Sequence, residues 1–328
     1  MPEQLLFAME VALNGLMAGV LYSLVALGFV LIYKASGIFN FAQGVMALFA
    51  AATLVGIMNG QVPFSHLINA ILGTELHHFG WHVPAVLAII LTMGVMVFLA
   101  WAVQYFVMRH LVNQEPIILF MATIGLAYFL EGLSDLMWGS EIKKLDVGLP
   151  QGINDTIDRV TFDALGYGFF IDNLDVVATV IAALLVIALM AFSQYTKQGR
   201  AMRAVADDHQ AALSVGVSLN FIWVLVWSLA GFVALVAGIV WGTKSGVQFS
   251  LSLIALKALP VLMLGGFTSI PGAIVGGLII GLGEKLFDFA IGPLVGGATE
   301  NWFAYVLALL FLVFRPQGLF GEKIIERV

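Results

Sequence analysis

The chain has 328 residues, of which 61% are hydrophobic and only 10% are charged, with a net charge of −6 at pH 7. A soluble domain is typically about a quarter charged and roughly half apolar, so this composition excludes an ordinary soluble protein. Apolar runs of about 20 residues recur along the chain, which predicts an all-α, polytopic membrane protein. The absence of cysteine excludes disulfides and thiolate metal sites.

The apolar runs predict about nine membrane-spanning helices in a single transmembrane domain over residues 1–328. The runs cover residues 5–33, 41–59, 83–108, 116–138, 174–194, 220–242, 248–265, 271–291 and 301–314. No Lys or Arg precedes the first run, so the first helix is expected to be retained rather than cleaved as a signal peptide. The segment 61–82 is interrupted by Pro63 and histidines, which predicts an interfacial or re-entrant excursion.

The Lys and Arg residues between the runs predict the orientation, because cytoplasmic loops carry an excess of these residues. One side collects the larger set, namely Lys34, Arg109, Lys197, Arg200, Arg203, Arg315, Lys323 and Arg327. The other side collects Lys143, Lys144, Arg159 and Lys244. The N-terminus is therefore expected outside and the C-terminus in the cytoplasm. The acidic loop 139–173 is expected outside, either as a partner surface or as a solvated cap over the helices.

Glycines are expected to let helices pack closely and, in two places, to interrupt them. Gly15–Gly19, Gly272–Gly276 and Gly277–Gly281 have the four-residue spacing that allows close approach of membrane helices. The segments Lys34–Gly44 and Leu264–Gly272 break the apolar pattern. Irregular backbone at membrane depth is tolerated only where protein or a water-filled cavity satisfies it. Each segment is therefore part of a translocation pathway or a cytoplasmic turn, and the turn is favoured for the second.

Residues 195–219, here named the charged segment, separate two apolar runs and differ in composition from the rest of the chain. The segment carries Lys197, Arg200, Arg203, Asp207 and Asp208. Helical steps of three and four residues relate Met202, Val205, His209, Leu213 and Gly216. This pattern predicts an amphipathic helix of about four turns, too short and polar to span. It could lie on anionic lipid, connect two spans or dock on a soluble partner, and its small charge bias disfavours lipid.

Ionisable side chains inside apolar runs are costly at membrane depth and are therefore candidates for function. Lys257 lies well inside the seventh run and Glu284 well inside the eighth, at depths that differ by under about two helical turns. The two are hypothesised to pair or to share a polar interior cavity. The alternative is that Glu284, Lys285 and Asp288 extend outward toward the membrane surface.

No motif for catalysis or nucleotide binding is legible in the chain. The string nearest to a phosphate-binding loop, Gly238–Ser245, lacks the required Gly-Lys-Ser/Thr. The cluster nearest to metal-ligand spacing is His77, His78 and His82, with Glu75 as the acid close by, and it matches a zinc site poorly. The chain is therefore expected to bind no cofactor and to take its energy from an ion gradient or a partner.

Four stretches of the chain, taken below from the N-terminus to the C-terminus, resemble a known family. Residues 14–44 join a helix rich in small residues to the string Asn-Phe-Ala-Gln-Gly, and residues 199–216 begin Gly-Arg-x-x-Arg-Ala and continue through Asp and paired alanines to Gly. Residues 264–284 are rich in glycine and end in Glu, and residues 315–321 read RPQGLFG. Together they resemble the Liv-type permeases, the membrane subunits of branched-chain amino acid ABC importers. Gln43 stands where that family more often has His.

The resemblance implies an ABC importer permease architecture and a set of partners. The chain would be one of two homologous permease subunits in the bacterial inner membrane, without an ATPase site of its own. Two cytoplasmic ATP-binding subunits would use ATP and Mg²⁺, and a periplasmic solute-binding protein would deliver the substrate. The charged segment would be the coupling helix that moves when the ATPase dimer closes. The coupling residues would be Gly199, Arg200, Arg203, Ala204, Asp207, Asp208, Ala212 and Gly216.

The substrate expected from the resemblance is a branched-chain amino acid, although urea, short amides and other small carboxylates occur among such permeases. The candidate pathway residues are Asn14, Asn40, Gln43, Lys257 and Glu284. Sugar permeases are related, but the Asn-Phe-Ala-Gln-Gly string favours the amino-acid branch. A secondary transporter driven by an ion gradient would need intramembrane acids, for which Glu131 and Glu284 are the candidates. A channel or structural membrane subunit is the remaining alternative.

Overall fold

The structure, a computed structural model, describes residues 3–73, 78–111, 114–207 and 209–321. The described residues form thirteen α-helices and two short 3-10 helices, Met108–His110 and Phe249–Leu253. In chain order the α-helices are α1 (Glu3–Ser36), α2 (Gln43–Met58), α3 (Ser65–Leu72), α4 (Ala85–Phe106), α5 (Pro116–Trp138), α6 (Asp155–Leu165), α7 (Asn173–Tyr195), α8 (Lys197–Asp207), α9 (His209–Ser214), α10 (Leu219–Ser245), α11 (Ile254–Gly265), α12 (Ile270–Val295) and α13 (Glu300–Phe314).

Every apolar run of the sequence coincides with a helix, so the all-α polytopic prediction is confirmed. Among the described residues, five helices are long and apolar enough to cross a membrane: α1, α4 with the 3-10 turn after it, α5, α7 and α10. The helical stretches Phe249–Gly265 and Ile270–Val295 are together also long and apolar enough to cross a membrane. They meet at a bend of 113°, so they count as at most one further span. Because α2 and α13 have only 16 and 15 residues, nine complete spans remain a prediction.

Two segments between the apolar runs are helical in the structure. The loop 139–173 contains α6, which begins where the Asn154 side chain accepts a hydrogen bond from the Ile157 amide at 2.9 Å. It ends at Gly166, whose φ of +73° is easy only for glycine. No residue of α6 is buried, so this helix adds nothing to the core of its unit. The charged segment is helical on both sides of Asp208, which lies outside the described residues, as α8 and α9. That these form the single predicted helix of about four turns stays a prediction.

The chain packs as two compact units. The first unit comprises the described parts of residues 1–30, 149–188 and 256–328. In it, a Cβ atom on Gly15 would lie 2.8 Å from the Gly281 carbonyl oxygen, so α1 and α12 meet backbone to backbone. Phe287 of α12 stacks on Phe303 of α13, with ring centroids 4.4 Å apart. The predicted glycine pairs at 15–19 and 277–281 therefore do form a helix–helix contact.

The second unit comprises the described parts of residues 31–148 and 189–255, and α2 forms its core. Every residue of α2 from Gln43 to Gly56 is buried, and the helix packs against α4, α5 and α10. A Cβ atom on Gly238 of α10 would stand 2.6 Å from the Ala47 carbonyl oxygen. Trp138, at the end of α5, donates from its indole nitrogen to Thr53 at 3.2 Å. The short α2 is thus a central helix enclosed by protein.

The break at Leu264–Gly272, in the first unit, is held by its own neighbours. Ser269 caps α12 by accepting from the Gly272 amide at 3.0 Å. The chain end returns to this break, because the amides of Leu319 and Phe320 donate to the carbonyls of Leu264 and Gly265 at 2.8 and 3.1 Å. The family-like RPQGLFG tail therefore closes the turn between α11 and α12.

Candidate functional site

The polar break between α1 and α2, in the second unit, is fully enclosed and internally bonded. Asn40 has 0% exposure, and its side chain donates to the Gln43 carbonyl oxygen at 3.3 Å and accepts from the Ala42 amide at 3.1 Å. Gln43 in turn donates to the Ala230 carbonyl of α10 at 3.2 Å. The side chains of these two candidate pathway residues thus form hydrogen bonds within the bend and to α10. Their role in a pathway stays a prediction.

Thr123 of α5 completes this bend and is missed by the sequence analysis. Its hydroxyl accepts from the Phe41 amide at 3.1 Å and lies within 3.1 Å of the Phe39 carbonyl oxygen. The side chain is fully buried. A lone threonine in an apolar run carries no positional signal, because a threonine hydroxyl is ordinarily satisfied by its own helix.

In the first unit, Lys257 of α11 and Glu284 of α12 form the hypothesised ion pair. Glu284 is 1% exposed, and Lys257 also donates to the Glu300 carbonyl oxygen at 3.0 Å. Tyr22 of α1 lies beside Glu284. The prediction that the two charges pair is confirmed, and a carboxylate at this depth is tolerable because a cation faces it.

The neighbouring charges on α12 also have partners. Lys285 forms an ion pair with Glu300 at 2.7 Å. Asp288 accepts from the Thr299 hydroxyl at 2.5 Å and from its amide at 3.2 Å. The alternative that Lys285 and Asp288 extend outward toward the membrane surface stays a prediction, because a partner does not decide the direction of a side chain. Asn14, the remaining pathway candidate, is half-buried on α1 next to the Gly15 contact.

The charged segment presents one buried face and one exposed face. Met202, Val205 and Ala212 are buried, and α8 and α9 both pack on α10. Gly199 is also buried, whereas Arg200, Ala204 and Gly216 are exposed. The predicted coupling residues therefore divide between those that attach the segment to the second unit and those that face outward.

Arg203 lies at the junction of α7 and α8. Its guanidinium donates to the carbonyl of Ser193, and a second nitrogen lies 3.5 Å from the carbonyl oxygen of Gln194. The weak pairing expected from its spacing to Asp207 cannot be placed, because the side chain of Asp207 lies outside the described part of the chain. Asp208 lies wholly outside the described residues.

A cavity of about 500 Å³ opens in the second unit around the end of α5. Lys143 is half-buried on its wall and donates to the Gln61 side chain at 2.9 Å and to the Trp138 carbonyl oxygen. Burial lowers the pKa of Lys143, and the nearby Glu141 carboxylate opposes that shift. His78 and Asp135 also line the cavity. Lys143 therefore acts as a cap on the end of α5.

Glu10 of α1 is a buried acid that the sequence analysis passed over. It is 6% exposed and accepts from the Tyr167 hydroxyl at 3.1 Å and the Phe170 amide at 3.3 Å. Partial burial and the hydrogen bond to Glu10 raise the pKa of Tyr167. The available signal was an acid in the interior of an apolar run. Within the first unit, Glu10 ties the segment after α6 to α1.

Neither a catalytic centre nor a metal centre emerges from the described residues. No group of three His, Asp or Glu side chains among them is arranged to hold a metal ion. Glu75 and His77, from the poor zinc candidate, lie outside the described residues, so that cluster cannot be assessed.

Comparison with known proteins identifies the family. The profile of the family described as "Branched-chain amino acid transport system / permease component" matches residues 11–315, nearly the whole chain. The chain belongs to this family. The LivH permease protein of the high-affinity branched-chain amino acid transport system of Escherichia coli K12 is 28% identical over 333 residues, and 100% of each chain is covered.

Two further relatives differ in the substrate that their names give and in the length of the match. BraD of Pseudomonas aeruginosa PAO1, also a high-affinity branched-chain amino acid transport system permease protein, is 28% identical over 338 residues, with 100% of each chain covered. The fructose import permease protein FrcC of Rhizobium meliloti is 25% identical over 281 residues, which cover 80% of this chain and 71% of that protein. The resemblance read from the sequence is thus confirmed, and this chain is a multi-pass membrane permease.

Proposed function

We propose that this permease is a membrane subunit of an ATP-driven importer that moves branched-chain amino acids from periplasm to cytoplasm by alternating access. The observation that carries the proposal is the similarity to LivH and BraD over the full length of all three chains. The match to FrcC is shorter and leaves a larger part of that sugar permease uncovered. The amino-acid branch is therefore the better assignment.

The partners follow from the same proposal. A homologous second permease subunit completes the pathway, two cytoplasmic subunits bind and hydrolyse ATP with Mg²⁺, and a periplasmic solute-binding protein delivers substrate. The charged segment contacts the ATP-binding subunits, and it faces the cytoplasm in a bacterial inner membrane. The N-terminus and the loop 139–173 lie on the periplasmic side, as the distribution of Lys and Arg indicates.

The alternative of an ion-driven transporter needs intramembrane acids that bind the ion, and its candidates are Glu131 and Glu284. Glu284 is committed to Lys257, which makes it a poor carrier of a transported cation. This pairing supports the proposal of an importer that takes its energy from a partner.

The test is an affinity purification of this chain in mild detergent from cells that express its own gene cluster. Recovery of an ATPase and a second permease, with ATP-dependent [³H]leucine uptake after reconstitution with the solute-binding protein, is the expected result. Recovery of this chain alone, with uptake in liposomes driven by an ion gradient, would overturn the proposal. Unlabelled valine, urea and fructose as competitors then define the substrate class.

A further inference from the structure

We propose that Arg203 is a positioning residue that fixes the angle between α8 and the span α7, while Arg200 is the arginine that a partner contacts. What α8 transmits rests on the proposed function, since both arginines lie in the coupling segment of that proposal. The junction itself, here named the α7–α8 elbow (residues 192–203), is defined by contacts within the second unit alone.

The Arg203 guanidinium lies at the C-terminal end of α7. It donates to the Ser193 carbonyl, and its other terminal nitrogen approaches the Gln194 carbonyl oxygen at 3.5 Å. The last carbonyls of a helix lack intrahelical donors and carry the negative end of the helix dipole. A planar guanidinium has donors spaced to reach two such carbonyls at once. Arg203 therefore joins the second turn of α8 back to the last turn of α7.

Thr196 and Gly199 close the same elbow from the other side. The Thr196 hydroxyl donates to the Phe192 carbonyl at 2.7 Å and accepts from the Gly199 amide at 2.9 Å. A Cβ atom on Gly199 would overlap the carbonyl oxygens of Phe192 and Ser193. The contacts of Arg203, Thr196 and Gly199 thus converge on the last carbonyls of α7, and such a set of contacts favours a fixed turn over a flexible linker.

Arg200 differs from Arg203 in its surroundings. Arg200 is exposed, whereas Arg203 is partly covered and the α8 residues on its two sides, Met202 and Val205, are buried. A force on α8 reaches the membrane only through a rigid connection. Arg200 is placed to receive a partner, and Arg203 is placed to pass the displacement of α8 on to α7.

The first experiment measures the elbow directly and does not depend on any partner. The chain has no cysteine, so single cysteines at Met190 on α7 and Ala204 on α8, both in the second unit, accept spin labels without background. Pulsed electron resonance on the full chain in nanodiscs is expected to give a narrow distance distribution. Arg203→Gln and Thr196→Val should broaden it, Arg203→Lys should broaden it less, and Arg200→Gln should leave it unchanged. An unchanged distribution in Arg203→Gln would overturn the proposal.

The second experiment asks what the elbow does in the assembled importer. In Arg203→Gln, recovery of the ATPase subunits should match the wild type, while leucine uptake per ATP hydrolysed falls severalfold, because the displacement of α8 is no longer passed on to α7. In Arg200→Gln, recovery of the ATPase subunits should itself fall. A merely structural role of Arg203 would lower uptake and ATP hydrolysis in proportion.

The two experiments separate this inference from the proposed function. If the wild-type chain recovers no ATPase, the proposed function fails, and the spin-label distances alone decide the role of Arg203 in the elbow. If the ATPase is recovered and Arg203→Gln loses it as completely as Arg200→Gln does, Arg203 is a partner contact and the inference is wrong. A normal ratio of uptake to ATP hydrolysis in Arg203→Gln would also overturn it.

Discussion

The backbones of Gly19 in α1 and Gly277 in α12 pack so closely that each occupies the space a side chain on the other would need. A Cβ atom on Gly19 would stand 2.5 Å from the Gly277 carbonyl oxygen, and a Cβ atom on Gly277 would stand 2.6 Å from the Gly19 carbonyl oxygen. The Ser23 hydroxyl extends the same seam, because it lies 3.3 Å from the Ile274 carbonyl oxygen. Lipid gives helices no hydrophobic drive to associate, so backbone contact of this kind holds the first unit together.

We therefore expect Gly19→Val and Gly277→Val each to destabilise the permease by about 2–3 kcal/mol, because the two backbones must separate to admit the side chain. The measurement is the thermal unfolding midpoint in detergent. Gly125→Val on α5 is the matched control, because a Cβ atom there meets nothing within 4 Å. Equal midpoints for the control and either variant would contradict this packing.

Lys257→Met should destabilise the permease by about 3 kcal/mol, because the Glu284 carboxylate is then left buried without its cation. Glu284→Gln should cost less, because Lys257 is 25% exposed and still donates to the Glu300 carbonyl oxygen. Folded yield and unfolding midpoint should therefore fall in Glu284→Gln and in Lys257→Met. The charge swap Lys257→Glu with Glu284→Lys should recover part of the loss. Lys144→Met, in an exposed position, is the control. If the swap is no more stable than Lys257→Glu alone or Glu284→Lys alone, the ion pair does not contribute to stability.

Gly44, at the first turn of α2, should not accept a side chain. A Cβ atom there would overlap the Ser252 carbonyl oxygen and lie 2.7 Å from the Ala255 Cβ atom. Gly44→Leu is expected to lower folded yield and uptake together, and Gly44→Ala to cost about 1–3 kcal/mol through overpacking. Gly94→Ala on α4, where nothing lies within 4 Å, should be neutral or stabilising. Wild-type yield and uptake in Gly44→Leu would refute the close contact.

Tyr167→Phe should loosen the segment that contains α6, because the Tyr167 hydroxyl ties this segment to Glu10 of α1. Arg159 is the only Lys or Arg between residues 149 and 172, so trypsin reports on this segment at a single site. We expect faster cleavage at Arg159 in Tyr167→Phe and an unchanged rate in Tyr128→Phe, which is exposed on α5.

The same cleavage also tests the orientation. If the loop 139–173 lies outside, trypsin added to intact spheroplasts should cut at Arg159, whereas protection there with cutting in inverted vesicles would reverse the predicted orientation. An unchanged cleavage rate in Tyr167→Phe would instead show that the contact with Glu10 does not hold the segment.

The residues that were hardest to assign from sequence are those whose partners come from distant parts of the chain. The sequence indicated that Asn40 and Gln43 are polar groups near a pathway. In the structure they bond to each other, and Gln43 also donates to the Ala230 carbonyl oxygen, so both stabilise the bend between α1 and α2. Thr123 carried no signal at all. The interior position of Glu10 was a signal, but its partner Tyr167 lies 157 residues away.

The sequence by itself determined the class of the protein, the position of every long helix and the family, because hydrophobic length, glycine spacing and local motifs are written within short stretches of chain. It also offered the pairing of Lys257 with Glu284 as one hypothesis among alternatives, because depth along two helices can be counted, and the structure selected that hypothesis. Only the tertiary structure decided that α2 is a fully enclosed helix, that α11 and α12 bend by 113°, and that Arg203 reaches back to α7. Those outcomes depend on which surfaces meet in space, and periodicity along a single chain does not encode that.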